Sequence, residues 1–166
     1  MKDQVAHLRR KGIRAAAIYS GLTHEEIIIT LENAIFGAIK LLYVSPERLS
    51  SELFQTKLRH MKVSLITVDE AHCISQWGYD FRPSYLQIAQ IRKLVPDVPV
   101  LALTATATPQ VVDDIQAKLV RESNTTSDFN VFKMSFERKN LAYVVRHADD
   151  KIGELIHILA DRKSVV

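Results

Sequence analysis

The run Leu65-Ile66-Thr67-Val68-Asp69-Glu70-Ala71-His72 decides the fold. Its apolar first half reads as the end of a buried strand over residues 63–68, and that strand stops on two adjacent carboxylates. Open α/β sheets place their ligands outside the carboxyl ends of the strands. A carboxylate pair at that position suits phosphate chemistry, where one carboxylate holds Mg²⁺ through its water shell and the other orients and deprotonates an attacking water. The competing reading is that Asp69 and Glu70 merely cap the next segment.

Working outward in both directions, helix and strand signals alternate. Upstream, residues 2–11 read as a helix with Val5 and Leu8 on one side, stopped by Gly12. A strand over 13–19 follows, then a helix opened by the capping-box pair Thr23 and Glu26 and running to about Phe36. Residues 40–44 form the next strand. Ser45-Pro46-Glu47 starts a short helical segment, and Ser50 or Ser51 caps a helix running to about His60. Downstream, a loop leads to a helix near 85–91, a strand over 98–103, and a helix capped by Thr108 with Pro109 at its first position, lasting to about Leu119. Residues 121–128 read as a polar loop, and 129–134 and 141–146 as further strands. A last helix begins at Asp149, with Ile152, Leu155, Ile156 and Leu159 on one face. The final Lys163-Ser164-Val165-Val166 reads as the first residues of another strand. Strands alternating with helices predict an α/β domain with a parallel sheet.

Composition sets bounds. The chain has 166 residues, 47% hydrophobic and 25% charged, which is ordinary for one globular domain. No apolar run approaches the roughly 20 residues of a membrane span, and the charged start Met1-Lys2-Asp3-Gln4 lacks a secretory apolar stretch. The single cysteine, Cys73, excludes an internal disulfide and a cysteine-cluster zinc site. A reducing, intracellular setting fits. The net charge of +3 does not by itself mark a nucleic-acid binder. The basic stretch His7, Arg9, Arg10, Lys11, Arg14 reads better as a helix end whose cations suit the dipole than as a phosphate-binding patch.

Two further stretches carry chemistry. Leu103-Thr104-Ala105-Thr106-Ala107-Thr108 ends another apolar strand with small hydroxyl residues able to hydrogen-bond neighbouring carboxylates. Read blandly it is a tight turn with Thr108 as cap. In Cys73-Ile74-Ser75-Gln76-Trp77-Gly78-Tyr79-Asp80-Phe81-Arg82-Pro83-Ser84-Tyr85, four aromatic residues crowd a stretch that Gly78 and Pro83 mark as a loop. Accessible rings beside Arg82 suit base stacking and phosphate contact; the alternative is that the rings fold back as local core. Cys73 reads as a small packed residue, and the six histidines show no zinc-like spacing.

The run Asp69-Glu70-Ala71-His72-Cys73-Ile74-Ser75-Gln76-Trp77-Gly78, with Phe81-Arg82-Pro83, closely resembles the motor of RecQ-family DNA helicases. Met1-Lys2-Asp3-Gln4-Val5 resembles that family's early DNA-contact segment, and Tyr43-Val44-Ser45-Pro46-Glu47-Arg48-Leu49 its second. Thr104-Ala105-Thr106-Ala107-Thr108 resembles the segment coupling the two lobes, and Ser135-Phe136-Glu137-Arg138-Lys139-Asn140-Leu141 the one before the second lobe. The resemblance implies a RecA-like, P-loop NTPase-type parallel sheet flanked by helices and incomplete at its N-terminus. Residues 1–148 would be part of the first motor lobe and 149–166 the start of the second.

It further implies an enzyme that couples ATP hydrolysis, with Mg²⁺, to 3′-to-5′ unwinding of DNA in repair and recombination. Asp69 would serve Mg²⁺ through water and Glu70 would be the base toward the attacking water. His72, Gln76, Thr104, Thr106 and Arg82 would couple the nucleotide site to DNA. Trp77, Phe81 and Arg82, with Lys2, Gln4, Ser45 and Arg48, would contact it. Single strands and duplex junctions are the implied DNA partners, in bacterial cytoplasm at the nucleoid or in a nucleus. Ser84 stands where many relatives have glutamate and Lys139 where proline is common.

A Gly-x-x-x-x-Gly-Lys-Ser/Thr loop is absent from these residues: Gly12, Gly21, Gly37, Gly78 and Gly153 offer no such spacing. The expectation is therefore a fragment of an ATP-dependent DNA helicase, cut at both ends, inactive alone and prone to self-association through an open sheet edge. The alternative is a catalytically dead nucleic-acid-binding or regulatory module. An RNA helicase is a lesser rival, disfavoured by the loop from Gln76 to Arg82.

Overall fold

A computed structural model describes residues 1–78, 80–120, 129–134, 139–142, 145 and 147–161. Its contacts divide the chain into Met1–Asn130 and Val131–Val166. The expected boundary at 148/149 concerns motor lobes rather than packing.

The first unit is α/β, with parallel strand pairs flanked by helices, as expected. Helix α1 (Lys2–Arg10) has Asp3 in its first turn and His7, Arg9 and Arg10 in its last, the arrangement that suits the dipole. Gly12, at φ +76°, ends it, and the chain turns into β1 (Ala15–Ile18). Helix α2 (His24–Ile35) opens with a complete capping box. Thr23 accepts from the Glu26 amide, and Glu26 accepts from the Thr23 amide at 2.7 Å. Those Thr23 contacts, the backbone amide first, hold the Glu26 carboxyl below its ordinary pKa.

Strand β2 (Leu41–Val44) lies parallel to β1, with Ala15 opposite Leu41 and Ile18 opposite Val44. After a 3₁₀ turn, Pro46–Arg48, comes α3 (Glu52–Leu58). Ser51 occupies its N-cap position, but its hydroxyl makes no cap bond, and the Ser50 hydroxyl donates instead to the Glu47 carbonyl. Strand β3 (Ile66–Val68) runs parallel to β4 (Val100–Ala102), with Val68 opposite Ala102. Between them lie the 3₁₀ turns Ala71–Ile74 and Pro83–Tyr85 and helix α4 (Leu86–Leu94). Helix α5 (Pro109–Leu119) begins where Thr108 Oγ1 accepts from the Val111 amide.

One core joins these elements. Ile27 and Leu31 of α2, Phe54 and Leu58 of α3, Ile88 and Ile91 of α4, and Val111, Ile115 and Leu119 of α5 pack with Ile18, Val68 and Ile74. The i, i+4, i+8 spacing of the α5 residues is the buried stripe of an amphipathic helix. That stripe fixes α5 against the turn following β3, where the candidate site residues lie.

Three expectations change. The strands form two parallel pairs, β1–β2 and β3–β4, rather than one continuous sheet among the described residues. They are also shorter than the apolar runs suggested: Ile13 and Leu65 are apolar but exposed and stand outside the ladders. Residues 129–134 are not a strand, since a strand needs a ladder partner, and Phe132 and Met134 are instead about nine-tenths exposed, at 92% and 89%. The expected loop 121–128, Ser135 to Arg138, residues 143, 144 and 146 of the expected strand 141–146, and 162–166 lie outside the described residues. In the second unit, α6 (Lys151–Asp161) is capped by Asp150 Oδ1, which accepts from the Ile152 and Gly153 amides. No helix among the described residues is long and apolar enough to cross a membrane.

Candidate functional site

Strand β3 delivers Asp69 and Glu70 at its carboxyl end, beside the end of β4. The ladder continues past both strands: the Leu103 amide donates to the Val68 carbonyl at 2.8 Å, and the Ala71 amide donates to the Leu103 carbonyl at 2.9 Å. This clamps the carboxylate pair against Thr104 and Thr106, so two segments 35 positions apart share one edge.

Glu70 is the one non-glycine residue with positive φ among the described residues, at φ 50° and ψ 44°. A left-handed conformation costs a residue with a Cβ about 1–2 kcal/mol. Strain of this kind persists where surrounding structure imposes it and gathers at functional positions. Here the Ala71–Leu103 hydrogen bond imposes it, turning the chain sharply out of β3. The Glu70 side chain stays 61% exposed, while Asp69 Oδ1 accepts from the Glu70 amide at 3.0 Å.

His72 lies in the 3₁₀ turn and is buried. Its Nδ1 is 3.0 Å from Thr104 Oγ1, 3.5 Å from Thr106 Oγ1 and 3.4 Å from Glu70 Oε2. The carboxylate and both threonine hydroxyls therefore crowd one ring nitrogen. A proton or a hydrogen bond shifted at one of these atoms alters the others.

The aromatic-rich loop leaves this turn and returns to it. Gly78 passes so close to the turn that a Cβ there would sit 2.8 Å from the His72 carbonyl oxygen, so the position requires glycine. The Arg82 amide donates to the Cys73 carbonyl at 3.0 Å, closing the loop, and the Arg82 guanidinium donates to Asp80 Oδ2 at 2.6 Å. Trp77 is 75% exposed, which settles for this ring the choice between loop surface and local core; Phe81 is half-buried. Gln76 is exposed, and Tyr79 lies outside the described residues.

Helix α5 holds the base of the loop. Lys118 Nζ donates to the Ile74 carbonyl at 3.1 Å and to Asp114 at 3.0 Å. Burial pushes the Asp114 carboxyl up, but hydrogen bonds from Ser75, Lys118 and the Gln76 backbone outweigh it and hold the group below its usual range.

Of the residues expected to contact DNA, Lys2 and Arg48 meet at Tyr19. Lys2 Nζ lies 4.9 Å from the centre of the Tyr19 ring, a cation–π contact, and Arg48 Nη2 donates to the Tyr19 carbonyl at 3.5 Å. Gln4 is exposed on α1 and Ser45 is buried at the end of β2. The Ser84 hydroxyl donates to Glu47 Oε1 at 3.3 Å and links the turn holding Arg48 to the loop. Sequence reading missed Ser75, Asp80, Asp114, Lys118 and the Glu47–Ser84 bond. A partial signal existed for the α5 pair, whose i, i+4 spacing predicts the ion pair but not its hold on Ile74.

The Asp69 donor set suits Mg²⁺, a hard cation that takes carboxylate oxygen and keeps its waters. Only one Asp69 oxygen is engaged by the Glu70 amide. Nothing among the described residues supplies the backbone cradle that phosphates require.

The sequence profile of the DEAD/DEAH box helicase family matches residues 1–115. The chain is 46% identical over 153 residues to ATP-dependent DNA helicase RecQ of Bacillus subtilis, covering 91% of this chain and 25% of that protein. It is 42% identical over 163 residues to ATP-dependent DNA helicase RecQ of Pasteurella multocida, covering 98% and 25%. Against ATP-dependent helicase SGS1 of Saccharomyces cerevisiae the identity is 41% over 150 residues, covering 87% and 10%. The chain thus spans about a quarter of the length of the bacterial relatives.

Proposed function

The chain belongs to the DEAD/DEAH box helicase family, and from that premise we propose that it forms the hydrolytic and DNA-sensing edge of a RecQ-type, ATP-dependent DNA-unwinding motor. The observation that carries this reading is the convergence of Glu70, Thr104 and Thr106 on His72 Nδ1, one turn away from a closed loop that exposes Trp77. Glu70 orients and deprotonates the attacking water, and Asp69 holds Mg²⁺ through water. Mg²⁺ neutralises charge on the phosphates when ATP is bound. His72, Gln76, Thr104, Thr106 and Arg82 relay between this edge and DNA, which Trp77, Phe81, Lys2, Gln4 and Arg48 contact; Ser45, buried at the end of β2, does not reach that surface. Single strands and duplex junctions are the substrates, with movement 3′-to-5′ and a role in repair and recombination.

These 166 residues contain no phosphate-cradling loop, so the chain alone is expected to show no DNA-stimulated ATP hydrolysis; turnover well above that of a Glu70→Gln control would contradict this. The decisive experiment replaces the matching quarter of the Bacillus subtilis relative with this chain. The chimera is expected to hydrolyse ATP in response to single-stranded DNA and to unwind duplex. A folded chimera that binds ATP and DNA yet does neither would favour a catalytically dead binding module.

The β3–β4 pair leaves Leu65, Leu101 and Leu103 between 44% and 51% exposed. Apolar, incompletely paired strands invite pairing with another copy. Light scattering of the isolated chain is expected to show mass rising with concentration; a strict monomer at high concentration would rule that association out.

A further inference from the structure

Beside the carboxylate pair, the closed loop assembles a second group of ligating side chains. The 3₁₀ turn buries His72 and Cys73 next to each other. The Arg82–Cys73 hydrogen bond brings the loop back over them and places Asp80 Oδ2 3.8 Å from Cys73 Sγ. One donor atom from each of His72, Cys73 and Asp80 lies within 4.8 Å of the other two. We propose that His72, Cys73 and Asp80 form a binding site for a thiophilic divalent cation of the zinc class, which fastens the aromatic loop to the turn following the carboxylate pair.

The donor chemistry selects the ion. Nitrogen, thiolate sulfur and carboxylate oxygen together suit Zn²⁺, whereas Mg²⁺ takes oxygen alone and suits Asp69. Three protein ligands leave a fourth tetrahedral position for water. Metal–ligand bonds of about 2.0–2.3 Å put neighbouring donors of a tetrahedral site about 3.3–3.8 Å apart. The Cys73–Asp80 separation already falls there, and the widest separation closes by a side-chain adjustment of about 1 Å. The Asp80 side chain, 38% exposed, gives the ion its way in from solvent. Thr104 at His72 Nδ1 fixes the imidazole. Burial pushes the Cys73 thiol pKa up, so the group enters as a thiol. Binding breaks the S–H bond, releases the proton to solvent and forms the sulfur–metal bond. The second Asp80 oxygen leaves the Arg82 pair a partner. Any effect of occupancy on hydrolysis rests on the helicase reading; the binding itself does not.

Cobalt(II) is the probe, added to the untagged 166-residue chain in excess Mg²⁺. The expected result is one equivalent bound, with near-ultraviolet thiolate-to-cobalt charge-transfer absorption that Zn²⁺ removes and Mg²⁺ does not. Cys73→Ser abolishes that absorption. Asp80→Asn, at a half-exposed position outside the core, weakens cobalt binding by about a hundredfold or more, at least the loss seen when a ligand's supporting contact is removed. No charge-transfer absorption in the folded chain would overturn the proposal, as would absorption that persists in Cys73→Ser. If Cys73→Ser does not fold, Asp80→Asn decides, and wild-type affinity in that variant overturns the three-residue site. All readouts use metal and chain alone, so failure here leaves the helicase reading standing, and failure of the chimera leaves this site standing.

Discussion

Replacing Glu70 by glutamine, in a complete motor containing this chain, is expected to lower the rate of ATP hydrolysis by about 10²–10⁴-fold, the usual contribution of a positioned general base. ATP affinity should change little. The amide is nearly the same size as the carboxylate and keeps an oxygen that can accept a hydrogen bond, but it cannot take a proton from water. The side chain is 61% exposed, so no packing is lost with the charge. Glu70→Ala is a less clean variant, because it also strips the side chain that meets His72 Nδ1 at 3.4 Å. Measuring single-turnover hydrolysis alongside nucleotide affinity separates chemistry from binding. A Glu70→Gln motor hydrolysing ATP near the wild-type rate would assign the base elsewhere. A loss of affinity with unchanged turnover would make Glu70 a binding group.

The carboxylate edge was legible because its signal is local. An apolar strand running into Asp69-Glu70 is a pattern of neighbours, and both Thr108 with Pro109 and Thr23 with Glu26 announce helix starts within four residues. What periodicity cannot carry is pairing. The apolar run at 63–68 marks a buried strand, yet within that run only Ile66–Val68 pair with β4. The same limit explains residues 129–134, whose composition suits a strand but which have no ladder partner among the described residues. The left-handed turn at Glu70 was also invisible, since glutamate gives no warning of positive φ; the Ala71–Leu103 bond imposes it from a distant segment. Asp80 went unnoticed for a related reason. It stands seven positions from Cys73 along the chain, and only the loop closure at Arg82 brings the two together.

That closure frames the other large expected effect. In a complete motor, Arg82→Ala should leave ATP affinity and most DNA affinity in place while the stimulation of hydrolysis by single-stranded DNA falls on the order of tenfold or more, as when a coupling of about 1–3 kcal/mol is lost. Stability should hardly change. The Arg82–Asp80 pair has side chains 55% and 38% exposed, and pairs so open to solvent add little to stability. The loop keeps its backbone anchor in the variant, because it is the Arg82 amide that donates to Cys73. Trp77→Ala provides the companion measurement. Its ring fills no cavity, so a folding penalty is not expected, and losing one stacked base costs binding about 1–3 kcal/mol. Coupling requires an element with two arrangements that both ligands bias. On the proposed reading the exchangeable part is the Arg82 guanidinium, which the structure holds on Asp80 and which a DNA phosphate is expected to draw away. Release frees Asp80 above the turn that positions His72, and His72 touches Glu70. A titration of ATPase rate against DNA concentration, run beside a thermal melt, tests the chain of contacts directly. Full stimulation in a folded Arg82→Ala enzyme would break it at its first step, and a lowered melting temperature with normal stimulation would make the loop a structural brace.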